Sequence, residues 1–177
     1  MTDNMINILD HGYVKLIDHM GDDSAIANAA RISYEKGTKK TSDDKNLIRY
    51  LMKHKHTSPF EMVEFVFELK LPLFVIQQLI RHRTANINQM SLRYSEAIEE
   101  CYIPQPEQLQ AQSTTNKQGR SVTLPNTNKL LEVINNNVKN SFNDYHELIN
   151  NNLSRELARM VLPANLYSKL VWKMDAH

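Results

Sequence analysis

The spacing of apolar positions along the chain switches between alternation and three- or four-residue steps, and each switch marks an element. Ile6-Asn7-Ile8-Leu9 predicts a short strand with Asp10-His11-Gly12 as its turn, and Tyr13 to Met20 alternates as a second strand. Gly21-Asp22-Asp23 precedes the Ala-rich run Ser24 to Tyr34, a helix with acids near its N-terminus. Thr41-Ser42-Asp43-Asp44 reads as the cap of the next helix, with Leu47, Ile48, Leu51 and Met52 on one face and Lys53 and His54 at its end. Ser58-Pro59-Phe60-Glu61 has capping-box spacing. Val63, Phe65, Phe67 and Leu69 then alternate with Glu64, Val66, Glu68 and Lys70, which predicts a strand with one buried face. Pro72 opens an apolar helix through Ile80, and Gln78 and Arg81 share a face at its end. Residues 104–128, rich in Pro, Gln, Thr and Asn, read as a surface loop. Leu131, Ile134, Val138, Phe142, Tyr145 and Ile149 predict a long amphipathic helix from Lys129 to Asn150. Ser154 caps a short helix that Pro163 ends, and Tyr167 to Met174 is a strand carrying Trp172. The expected architecture is α/β (α+β), one domain over residues 1–177. Its sheet is mostly antiparallel, drawn from segments near 6–9, 13–20, 62–70, 91–102 and 166–174, with helices packed on it.

Composition narrows the function classes. Hydrophobic content of 41% and charged content of 23% are ordinary for a soluble globular chain. A net charge of +1 argues against a protein that coats nucleic acid or an anionic membrane. No apolar run reaches the length of a membrane span, and no secretory apolar segment opens the chain. Cys101 is the sole cysteine, so no internal disulfide forms and a reducing cytoplasmic setting is expected. It sits beside Glu99 and Glu100, which oppose a thiolate and make it a small apolar residue on a strand rather than a nucleophile. His54-Lys55-His56 has no third ligand nearby in sequence, so no metal site is expected. No GxGxxG or GxxxxGK[ST] pattern occurs, so phosphate here must be held by side chains.

Those side chains cluster in one place. Arg81-His82-Arg83-Thr84-Ala85-Asn86-Ile87-Asn88-Gln89-Met90-Ser91-Leu92-Arg93-Tyr94-Ser95 holds cations, hydroxyls and amides with no acid and no Gly. The guanidinium forks suit phosphate or a polarised carbonyl. If Ser91 to Ser95 is extended, Ser91 and Arg93 face one side and form a compact phosphate clamp. Asn86, Asn88 and Gln89 supply amides able to read the edge of a base or ring. The competing reading is structural: a basic cap at a helix end, salt-bridged to nearby acids.

Arg81-His82-Arg83, with seven residues between it and Ser91 and then x-Arg93-Tyr94, resembles the signature of the flavin-dependent thymidylate synthases, the thymidylate synthase complementing protein family. Asn7-Ile-Leu-Asp-His-Gly12, Ala29-Ala-Arg-Ile-Ser33, His56-Thr-Ser-Pro-Phe-Glu61, Ala158-Arg-Met-Val-Leu-Pro163 and Asn165-Leu-Tyr167 resemble that family too, in its order. The resemblance implies the family's fold and a reductive methylation of dUMP to dTMP. Methylenetetrahydrofolate supplies the carbon, FAD carries reducing equivalents and NADPH reduces the flavin. It further implies a homotetramer with active sites shared between subunits. Carried over by position, Gln78, Arg81, Gln89, Met90, Ser91, Leu92, Arg93 and Arg159 are expected at dUMP, with Arg159 from a neighbouring chain. Ser33, Ser58, Arg81, His82, Arg83, Asn88, Gln89, Asp175 and His177 are expected at FAD, and His56 and Glu61 support the folate and flavin side. Gln89 stands where the family usually has Glu. Asp175-Ala176-His177 resembles the family's lead into a helix, and the resemblance places the uracil-activating Arg beyond His177. The expectation is therefore a domain lacking the family's C-terminal helical portion, with no catalytic residue of that kind inside it. The alternative is a nucleotide- and flavin-binding subunit that complements a second polypeptide.

Overall fold

The computed structural model describes residues 4–32 and 43–177. Ser33, Tyr34 and the Thr41-Ser42 part of the expected cap lie outside the described residues. Strands β1 (Met5–Ile8), β2 (Gly12–Met20), β3 (Glu64–Pro72), β4 (Asn86–Gln89) and β7 (Tyr167–Asp175) form one sheet in the order β1-β2-β3-β7-β4, every pairing antiparallel. The long pairing is between β3 and β7, from Glu64 opposite Asp175 to Pro72 opposite Tyr167 without a break in register. β2 carries a bulge between Leu16 and Asp18.

The alternation in β3 does what its pattern predicts. Leu69 and Phe67 lie opposite Leu170 and Trp172 and share one face, which packs under α3 (Leu73–Leu79) through Ile76. Phe65, farther along that face, packs against α1 (Asp23–Ile32) and α2 (Asp44–Lys53) through Ile26, Ala30 and Leu51. The opposite face is polar: Tyr13 donates to Glu68 at 2.7 Å and Lys173 pairs with Glu64 at 2.7 Å. α1 starts on Asp22, whose carboxylate accepts from the Ser24 and Ala25 amides, and α2 starts on Asp43, which accepts from Lys45. The long helix α4 (Thr127–Asn150) buries Phe142 and Tyr145 against Cys101, Leu166 and Ala158, the last on α5 (Arg155–Ala158).

Several expectations are corrected. Residues 91–102 do not form a strand; the fifth strand is β4, earlier in the chain, and Cys101 makes one isolated bridge to Leu166. The 104–128 segment contains a 3-10 turn at Pro106–Gln108 and a hairpin of β5 (Gln110–Gln112) with β6 (Arg120–Thr123). Ser58–Met62 is a 3-10 turn whose N-cap, Thr57, makes no side-chain cap bond, so the capping-box spacing is not used. Ser154 holds the cap position of α5 without a side-chain bond.

The β1–β2 hairpin is tied down by one carboxylate. Leu9 adopts a positive φ of 56°, a strained conformation for a branched residue. Asp10 beside it accepts from Tyr167 Oη at 2.5 Å, from the Ile103 amide at 2.9 Å and from the His11 amide at 3.0 Å. This joins the hairpin to β7 and to the chain arriving from Cys101. Burial acts to raise the Asp10 carboxyl, but these hydrogen bonds outweigh it and hold the group below 3.8. A depressed folded-state pKa gives stability that is present above the unfolded value and lost as pH falls through the folded one. Asp10→Asn is therefore expected to lower stability by about 1 kcal/mol at neutral pH. The difference from wild type in urea midpoint should shrink as pH drops below 3.8. Identical midpoints at pH 7 would discard the tie.

Candidate functional site

β4 is an edge strand, so its outer backbone groups are open, and the Arg81–Ser95 segment wraps around it. Its register fixes where each end falls. Asn86 lies opposite Lys173, and Gln89 lies opposite Leu170, with the Met90 amide bonded to the Lys169 carbonyl at 2.9 Å. Three residue steps of strand separate the two ends by about 10 Å. The predicted residues sort themselves between these ends.

At the Asn86 end, α3 finishes and the chain turns through Arg81–Ala85, with the Arg81 amide bonded to Gln78 and the His82 amide to Leu79. Gln78, Arg81, His82 and Arg83 are all exposed. His82 is held in place, Nδ1 lying 3.0 Å from the Leu79 carbonyl and its ring 6.2 Å from that of Trp172, edge-on. Among the described residues neither Arg81 nor Arg83 has a carboxylate partner. The structural reading of this cluster, a cap neutralised by acids, therefore fails. Two residues past Lys173 on β7, Asp175 accepts from the His177 amide at 3.0 Å, and His177 Nδ1 lies 3.9 Å from Glu61. Ser58 opens the turn that carries Glu61, and His56 lies just before it with its ring 6.2 Å from Tyr50. The structure thus gathers Arg81, His82, Arg83, Ser58, Glu61, Asp175 and His177 at one end of the sheet. The one buried side-chain donor without a partner among the described residues, Trp172 Nε1, is at this end as well.

At the Gln89 end the expected extended clamp is replaced by a turn. The Arg93 amide bonds Ser91 Oγ at 3.2 Å, the Tyr94 amide bonds the Ser91 carbonyl and Ser95 Oγ donates to that carbonyl at 3.3 Å. Leu92 anchors the turn in the α4 core, and the Ala97 amide bonds the buried Tyr145 hydroxyl at 3.3 Å. Arg93 does not stand free: Nη2 pairs with Glu156 at 3.2 Å. Arg159 lies beside it in the same chain, Nε donating to the Glu156 carbonyl at 3.2 Å. Gln89 shares the core face with Leu170 and donates from Nε2 to Ser168 Oγ at 3.1 Å, whereas Asn88 takes the opposite face. A ligand touching both must straddle the open edge. Ser168 and Glu156 carried no signal in the sequence; their roles come from register and from a turn that no local pattern announces.

A recess of about 790 Å³, lined by His19, Asp22, Asp44, Val63, Phe65 and Ala176, adjoins the Asp175–His177 end, and another lies away from the edge strand. A groove of about 650 Å³ between α4 and the 161–165 segment is lined by Phe74, Val133, Val138 and Pro163 among others, with no charged residue. It offers nothing to an anion. Cys101 is also outside the chemistry. Burial, then Asp10 and Glu99, push its thiol up to about 11, while Glu100 is engaged by Lys70 at 2.5 Å. Among the described residues no helix is long and apolar enough to cross a membrane.

Fold and site define a mixed α/β protein whose edge strand β4 follows an exposed, cation-rich turn. The profile of the family described as "Thymidylate synthase complementing protein" matches residues 15–177, and the chain belongs to that family. It is 47% identical over 175 residues to the flavin-dependent thymidylate synthase of Gluconobacter oxydans (strain 621H), and 49% identical over 174 residues to that of Wolbachia pipientis wMel. Each match covers 96% of this chain but 58% and 61% of the relative, so the chain spans about three fifths of their length. The crystal structure of the UMP/dUMP methylase PolB from Streptomyces cacaoi bound with 5-Br dUMP superposes with a TM-score of 0.84 at 29% identity. That superposition covers 97% of this chain and 76% of that one.

The buried thiol gives a direct check. At pH 8 the native protein is expected to react with a thiol-specific disulfide reagent on the order of a hundredfold more slowly than the urea-unfolded chain. Equal rates would place Cys101 at the surface.

Proposed function

We propose that this chain carries the nucleotide- and flavin-binding portion of an FAD-dependent thymidylate synthase, an enzyme that methylates dUMP to dTMP with methylenetetrahydrofolate and NADPH. The observation that carries the reading is the pair of uncompensated guanidinium groups, Arg81 and Arg83, beside an open edge strand. Two exposed guanidinium groups so close in the chain, without a carboxylate partner among the described residues, suit phosphate. The relatives' names and the PolB complex support the choice of a pyrimidine nucleotide and a flavin.

In this reading the Asn86 end is the flavin end. Arg81 and Arg83 hold its diphosphate, Ser58, Asn88, Asp175 and His177 hydrogen-bond it, and His56 and Glu61 support the folate side. The donor set fits FAD: cations for the phosphates, amides and hydroxyls for the ring edge, and an orphaned indole N–H that an acceptor would satisfy. When bound, the flavin supplies the reducing equivalents. The Gln89 end is the nucleotide end: Ser91 and Arg93 take the phosphate, the Gln89 and Arg159 side chains contact dUMP, and Met90 and Leu92 shape the turn. Gln78 and Arg81, also assigned to dUMP, sit a strand's length away in the same chain. One nucleotide touching both sets is most simply held between two copies, which supports a homo-oligomer with shared sites, as in the homotetramer expected for the family.

Titration is the test. The purified chain is expected to bind FAD, with a flavin absorbance band, and to bind dUMP. Arg81→Ala is expected to weaken dUMP roughly 10- to 100-fold, the range for a lost charge-assisted hydrogen bond. A colourless protein indifferent to added FAD and dUMP would sink the reading. Release of the hydrogen at uracil C5, in the presence of all co-substrates, separates a working enzyme from a binding subunit.

A further inference from the structure

Glu156 stands where two arginines meet. Its side chain accepts from Arg93 and its backbone carbonyl from Arg159, each at 3.2 Å. One residue away, Arg155 donates to Glu96 at 3.0 Å. The two ion pairs cross-link the same pieces of chain, the 91–97 turn and α5, with their signs reversed. The turn does not need them. It is already fixed by its own hydrogen bonds to Ser91, by Leu92 in the core and by the Tyr145 hydroxyl. What Glu156 adds is a direction and a counter-charge for the Arg93 guanidinium. The two side chains are each 52% exposed. An ion pair that open to water is weakly held. A phosphate monoester brings more charge and three acceptor oxygens to the same fork and displaces a single carboxylate.

We propose that Glu156 is the resident counter-anion of the nucleotide end: it holds Arg93 aimed while the site is empty and yields it to the phosphate of a nucleoside monophosphate. This rests on reading that end as the nucleotide site. Nucleotide affinity then contains a competition term, because each binding event must break the Arg93–Glu156 pair and bring the phosphate close to the displaced carboxylate. Arg81 and Arg83, with no such partner, carry no such handicap. Glu156 is a positioning residue for Arg93, and it trades affinity for an aimed and neutralised guanidinium in the free protein.

Equilibrium binding of dUMP at fixed ionic strength decides the matter, with deoxyuridine as the ligand lacking phosphate. Glu156→Gln is expected to bind dUMP two- to five-fold more tightly than wild type and deoxyuridine unchanged. Glu96→Gln breaks an equally open pair between the same two pieces of chain and is expected to leave dUMP affinity within experimental scatter. In an Arg93→Ala background, adding Glu156→Gln should bring a smaller gain than in wild type, since no ion pair is left to break and only the repulsion between carboxylate and phosphate is relieved. Equal or weaker dUMP binding by Glu156→Gln overturns the proposal, as does the same gain from Glu96→Gln or a gain that is undiminished without Arg93. If wild type binds neither dUMP nor deoxyuridine, the nucleotide reading itself fails, an outcome distinct from binding without the expected gain. Thermal unfolding of each variant confirms that folded proteins are compared.

Discussion

Every placement at the site depends on the unbroken antiparallel register of β3 with β7. That pairing puts Phe67 and Leu69 with Trp172 and Leu170 on one face, under α3, and Glu64 and Glu68 with Lys173 and Val171 on the other. A slip of one residue would turn the apolar set outward and bury lysines, so the register is held by the full cost of burying the wrong face. β7 then serves as a ruler for β4. Because Leu170 is fixed beneath the core, Gln89 opposite it faces Ser168, and because Lys173 is fixed two residues before Asp175, the Arg81–Ala85 turn reaches the same end as Glu61 and His177. Distant stretches of sequence meet through strand pairing rather than through any contact local in the chain.

The two ends of β4 differ in how their cations are treated. At the Asn86 end the guanidinium groups have no carboxylate partner among the described residues, and His82 is pinned by its contact with the Leu79 carbonyl. At the Gln89 end the Glu156 carboxylate pairs with Arg93, while Arg159 donates only to the Glu156 backbone carbonyl. The free groups keep their full attraction for an anion and repel one another in its absence; the paired one is neutralised and directed. A diphosphate-bearing cofactor suits the first arrangement and an exchanging substrate suits the second.

The sequence was legible where one residue pattern decides one element. Alternation located β3, three- and four-residue steps located α4, and Pro72 located the start of α3, because each of those elements buries a face large enough to show as a period. The family signature located the Arg81–Arg93 segment. Its shape was not legible. Asn86–Gln89 is polar, four residues long and exposed; it is a strand because β7 offers it a partner, which no window around it contains. Ser91–Ser95 becomes a turn because the Ser91 hydroxyl and carbonyl gather three local donors, a competition that alternation alone does not weigh. The β5–β6 hairpin, mostly Gln, Arg, Ser and Thr with one Ala and one Val, hides inside a loop-like composition for the same reason that β4 does.

Gln89 shows how a departure from the family pattern can be absorbed. Its Nε2 is committed to Ser168 Oγ, and Ser168 is 2% exposed, so the amide is locked with Oε1 left as an acceptor. A carboxylate in the same position would accept from the Ser168 hydroxyl with one oxygen and present the other, again as an acceptor. Geometry and acceptor capacity are therefore preserved across the change, and what is lost is a negative charge. A neutral Gln89 leaves Glu156 as the one carboxylate paired with Arg93 among the described residues, so the charge of that guanidinium is set by a single solvent-open ion pair.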